Sequence, residues 1–537
     1  MALLAGGLLV RGAIATVLPP GFDEAYYYLY TRHLDWSYFD HPLMVALTTG
    51  MGPWLTGQVT VLTIRLGPLV LYTLSLGLMY LTGTRLFSVA AGLLTVAIAS
   101  LVPIFFLGFG VLTLPDSPLI FFWTLALYLA ACEFFPTPAA SPPLVPTYRP
   151  TGRLALIGLC VGLACLSKYH GVALGFGLVG FCLASPPHRP ALRSPWLMAA
   201  VGLFLLAISP ILIWNSQHDW ISLRYQSGRA VPDRGYSLLE LLGTFLVGVA
   251  YLFPSFGLPL WWVSLRSLWQ RWPGEKADSP NRALQPQLVS TSSSFVSSPT
   301  AFLLWLALPL MLGFTLMGGY RPILPTWAMP GFWGATLLLG AAAAGWQQQF
   351  PRRVRRWLWG SGWVIMTLIL IALLHVTVGL FQQPGRYSLF GGGIPVRSDA
   401  STQLIEIQQL RQGWAESDVL QAALQQTDFV FTNELFLAGQ VGMALAPLTD
   451  KPVTTLDEDL RGFAFWFQAD QWLGRDGLYV ASQRRSPLPA QKYGSYFDWI
   501  EKIADIPLKR GGEVVDVIQV YRAHTLLKPF PRPYGLS

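Results

Sequence analysis

Two carboxylates, Asp23 and Glu24, stand side by side in Gly21-Phe-Asp-Glu-Ala-Tyr-Tyr-Tyr28, directly after an apolar run over residues 2–18. At the depth where a membrane helix ends, an uncompensated charge is expensive, and ionisable side chains kept there tend to be functional. The pair could equally cap the helix that follows, because carboxylates stabilise a helix N-terminus. The aromatics behind them carry the same two readings, a platform for a sugar or an interfacial belt. Lys168, in Leu163-Ala-Cys-Leu-Ser-Lys-Tyr169, is an ammonium in very apolar surroundings. Such a group requires an anion, either a lipid phosphate or an acid on another helix. Asp116, in Leu114-Pro-Asp-Ser-Pro118, has the form of a helix start.

The elements that must position these residues are membrane helices. Of 537 residues, 53% are hydrophobic and 12% charged, against roughly 25% charged in soluble domains. An ordinary soluble enzyme is excluded. Apolar runs near 2–18, 61–81, 88–108, 117–134, 154–167, 171–185, 196–214, 238–263, 301–318, 329–346 and 358–380 are long enough for about eleven spans, at about 20 residues each. The segment 2–18 lacks a basic leader and a cleavage site, and reads as a retained first helix.

Loops between the runs alternate in character. One set carries Arg85, Arg149, Arg153, Arg189, Arg193, Arg266, Arg271, Lys276, Arg282 and the run Arg352, Arg353, Arg355 and Arg356. By the positive-inside rule these face the cytoplasm. The opposite set, Gly21–Thr60, Pro115–Pro118, Ser167–His170, Asn215–Ser237 and Gly319–Trp327, then shares the outer side. An odd span count puts everything after about residue 381 outside too. Up to residue 380 there are 21 Lys/Arg and 11 Asp/Glu, and 15 and 17 follow. The net charge of +8 therefore belongs to the membrane part and orients helices, with no argument for nucleic acid.

Residues 1–380 thus form a membrane domain and 381–537 a small soluble one. The latter alternates strand-like runs (Asp428–Thr432, Leu478–Ala481, Val514–Tyr521) with helix-like ones (Thr402–Gln425, Phe497–Asp505), predicting an α/β domain. Pro136–Pro150 and Pro273–Thr300 read as low complexity. Cys132, Cys160, Cys165 and Cys182 sit in or beside apolar runs, without the spacing of a disulfide or zinc framework.

Taken in order, Asp23-Glu24-Ala25-Tyr26-Tyr27, Tyr38-Phe-Asp-His-Pro42, Pro115-Asp-Ser-Pro118, Leu166-Ser-Lys-Tyr169, Trp214-Asn215 with His218, Pro325-Thr-Trp327 and Gly413-Trp414 resemble the bacterial glycosyltransferase family 39 proteins. These are relatives of the protein O-mannosyltransferases and of lipid A aminoarabinose transferase. The resemblance covers nearly the whole chain. It implies a GT-C fold, a multi-pass position in a bacterial plasma membrane, and inverting transfer of a sugar from a polyprenyl-phosphate donor to a lipid, glycan or protein acceptor at the outer face.

The family's catalytic acid maps onto Asp23, with Glu24 as its orienting neighbour. The chemistry suits that assignment, since an acceptor hydroxyl must lose a proton as it attacks the anomeric carbon. Asp116 matches a second acid on the next outer loop, where it would orient the acceptor or a cation. The leaving phosphate needs a positive partner. Outer-side candidates are Lys168, His41, Arg321 and Arg224, with Arg65 and Arg229 behind them; Gln226 accompanies Arg224. His41-Pro42 takes the place of the phosphate-binding Lys-Pro-Pro of the aminoarabinose transferases, with His for Lys and Leu43 for the second Pro. For Arg224 and Arg321 a snorkelling interfacial role is the plainer reading. A divalent cation on Asp23, Asp116 and His41 is conceivable, but their separations give no ligand spacing, so no metal site is assigned.

Two rival classes have similar outlines. A secondary transporter would show repeated halves and broken helices at midplane, whereas these charges gather on one side. A lipid-linked oligosaccharide ligase would use a cationic outer loop and lack the Asp-Glu pair. Neither the sugar nor the acceptor is readable.

Overall fold

The computed structural model describes residues 2–136, 148–229, 231–232, 234–269 and 297–535. Most of the two low-complexity loops, together with Arg271, Lys276 and Arg282, lies outside these residues. Up to residue 380 the described chain forms helices α1 (Ala2–Val17), α2 (Phe22–Tyr30), α3 (Met44–Thr56), α4 (Leu66–Leu86), α5 (Val89–Ala99), α6 (Asp116–Phe134), α7 (Arg153–Ser167), α8 (Val172–Ala184), α9 (Pro195–Gln217), α10 (Ile221–Gly228), α11 (Leu238–Tyr251), α12 (Pro254–Trp269), α13 (Pro299–Met317), α14 (Met329–Gln349) and α15 (Pro351–Val378). Each of the eleven expected runs coincides with one of these helices or with a bent pair. Among the described residues six helices are long and apolar enough to cross a membrane, or up to eight if each bent pair is one span.

The bends have sequence causes. Pro19-Pro20 ends α1, because a residue before proline is pushed out of the helical region, and α2 leaves at 90°. The run 238–263, expected as one span, is α11 and α12 meeting at 115°. Phe253, in front of Pro254, stands at a φ of 66° there. The run 88–108 is likewise divided, since α5 stops before Pro103 and a wider turn spans Ile104–Phe109. The stretch between α1 and α4 holds two helices, α2 and α3, that its aromatic and glycine-rich sequence does not announce.

The bundle core runs through α4, α5, α6 and α14. Small residues let backbones approach there: a Cβ on Gly340 of α14 would lie 2.0 Å from the Thr95 hydroxyl of α5. Trp333 of α14 donates its indole N–H to Thr124 Oγ1 of α6 at 2.8 Å, satisfying the polar end of a buried ring.

Beyond α15 a short parallel pair, β1 (Gln382–Gln383) and β2 (Ile394–Pro395), leads into α16 (Ile407–Ala415), α17 (Asp418–Gln426), β3 (Phe429–Thr432), α18 (Leu435–Leu445), β4 (Val453–Thr455), β5 (Gly477–Ser482), β6 (Phe497–Arg510) and β7 (Glu513–Leu526). The five-stranded sheet has the order β4-β3-β5-β7-β6. β3 is parallel to β4 and β5, and β7 is antiparallel to β5 and β6. The α/β expectation thus holds, with two corrections. Thr402–Gln425 is two helices, because Ser417 caps α17 by accepting the Leu420 N–H at 3.3 Å. Phe497–Asp505, expected as helix, is strand: it pairs with β7 from Phe497 opposite Leu526 onward. Tertiary pairing overrides the helical spacing of its charges.

Several contacts fix this domain to the bundle. His375, at the end of α15, lies 3.2 Å from Asp399, which also pairs with Arg510 on β6. The apolar helix α18 packs on α2 so closely that a Cβ on Gly439 would stand 2.7 Å from the Tyr26 nitrogen.

Candidate active site

A cavity of about 390 Å³ opens where the loop after α1, the starts of α6 and α8, α10 and the C-terminal domain converge. Its chemistry-bearing residues are Asp23 and Tyr27 of α2, Asp40 and His41, Asp116, Lys168 and His170, Tyr225, Gln226 and Arg229, Trp327, and Arg461 from the C-terminal domain. The sequence assigns Asp23, Asp116, Lys168 and His41 to one site, and the fold brings these four together.

Asp23 and Glu24 are adjacent in sequence but have different fates. Glu24 is buried and turns away from the cavity. It accepts from Arg65 Nε at 2.9 Å and Nη2 at 2.6 Å, from the Thr113 N–H at 2.9 Å and from the Gly21 N–H at 2.8 Å. Arg65, fully buried, also donates to the carbonyls of Ala15, Leu18 and Pro19 at the end of α1. The pair therefore clamps the α1–α2 corner, and Arg65 is committed to it. Asp23, on the other side of the same helical turn, faces the cavity. Among the described residues no hydrogen bond or ion pair holds its carboxylate. Burial and the nearby Asp40 raise its pKa to about 6, opposed by Arg461 and Lys168.

The Tyr38-Phe-Asp-His-Pro turn closes on itself through the Tyr38 N–H to the His41 carbonyl, 3.2 Å. Its Asp40 is engaged on every side. The hydroxyls of Tyr26 and Tyr30 donate to Oδ1, Arg461 Nη1 reaches Oδ2 at 3.4 Å, and Gln226 donates to the Asp40 carbonyl at 2.7 Å. His41 Nδ1 is buried without a partner among the described residues. Burial and the cations Lys168, Arg461 and Arg229 hold the His41 pKa well below its usual value, so this imidazole is neutral. As a phosphate contact it would act as a hydrogen-bond donor, not as a charge.

Lys168 finds its anion inside the protein. Its Nζ lies 2.9 Å from each oxygen of Asp116, tying the end of α7 to the start of α6. An ammonium has three N–H groups, so one stays free toward the cavity. Asp116, at the first residue of α6, also suits the helix N-terminus. Arg229 stacks its guanidinium 4.8 Å from the Trp327 ring and 5.6 Å from the Tyr225 ring. No described carboxylate pairs with it.

Arg224 and Arg321 lie outside the cavity. Arg224 is exposed on α10, and Arg321 donates through Nη1 to the carbonyls of Gly228 and Val231 at 3.0 and 2.9 Å, while its Nε is buried without a partner among the described residues. Asp23, Asp116 and His41 share the cavity, yet no group of three or more His, Cys, Asp or Glu among the described residues meets in a metal-holding arrangement. Two site residues escaped the sequence reading. Asp40 sits within the Tyr38–Pro42 turn, whose sequence alone gives it no role. Arg461 lies in the C-terminal domain, and nothing in its sequence surroundings marks it. In the structure it holds a φ of 39°, an unusual conformation that aims it at Asp40.

Comparison with known proteins agrees with this architecture. Residues 40–214 match the family described as dolichyl-phosphate-mannose-protein mannosyltransferase, a stretch that contains His41, Asp116 and Lys168 and begins after Asp23. A lipid A galacturonosyltransferase of Rhizobium johnstonii is 26% identical over 326 residues, 59% of each chain. The chain thus spans about three fifths of that curated relative. ArnT from Cupriavidus metallidurans superposes with a TM-score of 0.58 in its apo state and 0.57 when bound to undecaprenyl phosphate. Each superposition covers 97% of both chains, at 15% and 14% identity. The chain is a multi-pass membrane protein of GT-C fold, the fold of ArnT, and its residues 40–214 are similar to the mannosyltransferase family.

Proposed function

We propose that the protein is an inverting glycosyltransferase that moves a sugar from a polyprenyl-phosphate donor to an acceptor hydroxyl. One observation carries this reading. Among the described acids, Glu24 is turned away and paired with Arg65, Asp40 and Asp116 line the cavity but are committed to a cation or to hydrogen bonds, and Asp23 faces the cavity unpaired. A carboxylate with a pKa of about 6 is ionised at neutral pH and can take a proton from an acceptor hydroxyl. As that oxygen attacks the anomeric carbon, the bond from this carbon to the phosphate oxygen breaks and the phosphate leaves with the electron pair. Arg229 and the free N–H of Lys168 supply positive charge for it. Asp116 holds Lys168 in place. Single displacement inverts the anomeric centre and needs no covalent enzyme intermediate.

The undecaprenyl phosphate in the ArnT complex and the lipid A acceptor in the name of the Rhizobium relative support a lipid-linked donor and an envelope acceptor. The alternate arginine-rich loops support a plasma-membrane location, with the cavity and the C-terminal domain on the outer side. The test is transfer by the purified protein, in liposomes, from a panel of undecaprenyl-phosphate sugars to lipid A, with Asp23→Asn as control. Transfer by the parent and not by the variant is expected. Full transfer by Asp23→Asn removes Asp23 from the role of base, and no transfer with any donor favours the transporter class.

A further inference from the structure

At the end of the bundle opposite the cavity, two features meet that the transfer reaction does not use. The first is an apolar groove of about 440 Å³ between α8 and α9, floored by α7 and lined by Gly158, Val161, Phe176, Val179, Val201 and Phe204. It is built of small residues on α7 and α8, and Phe176 at its rim is 73% exposed. The second lies where α8 turns into α9 through Pro186–Arg193. Arg189, Arg193, Ser194 and Trp196 line a hollow there together with four prolines, and among the described residues no carboxylate lines it. Both arginines are exposed, and Arg189 Nε donates to the Leu183 carbonyl at 3.0 Å, which fixes the turn that carries it.

We propose that this groove and its basic rim are a binding site for an anionic diacyl phospholipid of the leaflet opposite the cavity. Charge and length both point to that occupant. Two exposed guanidiniums with no carboxylate partner among the described residues, and a tryptophan beside them, suit a lipid phosphate at headgroup depth. The groove follows α8 from Val172 to Cys182, ten residues or about 15 Å, which is one leaflet of a hydrocarbon core about 30 Å thick. A polyprenyl chain would overrun that length. Its phosphate, if carried to the site by the donor, would also belong at the cavity end. The bound lipid would fill the gap that keeps α8 and α9 apart and so brace α7 and α8, between which Lys168 and His170 enter the cavity.

The test uses the full chain in detergent, with dioleoyl-phosphatidylglycerol, dioleoyl-phosphatidylcholine and undecaprenyl phosphate as separate probes, read by native mass spectrometry and by melting temperature. The parent is expected to retain phosphatidylglycerol in preference to phosphatidylcholine and to melt higher with it. Arg189→Gln/Arg193→Gln, which keeps a side-chain donor at the turn, should weaken phosphatidylglycerol roughly thirtyfold, as a loss of about 2 kcal/mol implies. Val201→Trp, which fills the groove from its exposed side, should weaken both phospholipids. Equal retention of the two phospholipids, or an unchanged affinity in the arginine variant, overturns the headgroup site. Indifference to Val201→Trp overturns the groove, and displacement of phosphatidylglycerol by one equivalent of undecaprenyl phosphate assigns the groove to the donor instead.

Discussion

Asp23 and Glu24 are one residue apart and make opposite predictions, because the first turn of α2 sends one to the cavity and the other into the protein. Asp23→Asn removes a proton acceptor with little change of size, so transfer should fall by about 10²–10⁴-fold, measured as initial rate, with insertion and melting unaltered. The pH dependence follows from the same group. A base works ionised, so kcat/KM should decline as pH drops through about 6. Asp40 is an anion that disfavours ionisation of Asp23, so Asp40→Asn should move this acid limb to lower pH. Arg461 favours the ionised form, and Arg461→Gln should move the limb upward. A limb that stays in place in both variants detaches it from Asp23. Glu24→Gln should instead be read in stability. It leaves the buried Arg65 without its counter-charge, a loss of roughly 3 kcal/mol, seen as a lowered melting temperature in detergent. A Glu24→Gln variant that melts like the parent would show that the carbonyls of α1 alone suffice for Arg65.

At the scale of elements, the Asp116–Lys168 pair shows what could and could not be read from the chain. The need of Lys168 for an anion was legible from its apolar flanks, and so was the helix start at Asp116. That each satisfies the other was not, since 52 positions separate them and only packing of α6 beside α7 joins them. The same holds for Arg65 and Glu24, whose match needs the 90° corner at Pro19-Pro20. Hydrophobic runs gave the helices because insertion demands their length, whereas kinks at Phe253 and the strand β6 depend on neighbours. The pair yields a prediction of its own. Lys168→Met leaves a buried acid unpaired and should lower the melting temperature, by roughly 3 kcal/mol of stability, and adding Asp116→Asn should restore part of it. If Lys168 also holds the donor phosphate, the double variant regains stability but binds undecaprenyl phosphate about tenfold more weakly than the parent. Normal binding by the double variant confines the lysine to its structural pair.

For the whole molecule, the decisive arrangement is that the helical bundle and the C-terminal domain build one cavity. Asp40 is held from one side by Tyr26 and Tyr30 of α2 and from the other by Arg461, while the Tyr26 hydroxyl accepts the Gly462 N–H at 2.9 Å. The C-terminal domain must therefore lie on the same side of the membrane as the cavity. If the arginine-rich loops face the cytoplasm, that side is the outer one, and the two statements can be tested together. Cysteines placed at Ser495, exposed in the C-terminal domain, and at Gln348, exposed beside the run Arg352–Arg356, should differ in access. In intact cells, and in a background lacking Cys132, which is partly exposed, a membrane-impermeant maleimide should label Ser495→Cys. It should reach Gln348→Cys only after the membrane is opened. The reverse pattern would invert the protein and put the cavity in the cytoplasm, where a donor displayed on the outer leaflet could not reach Asp23. Labelling of both from one side would require an even number of crossings between residue 348 and residue 495, so that α15, 28 residues long and apolar, would not span. The reading of an outward-facing transferase rests on the first outcome.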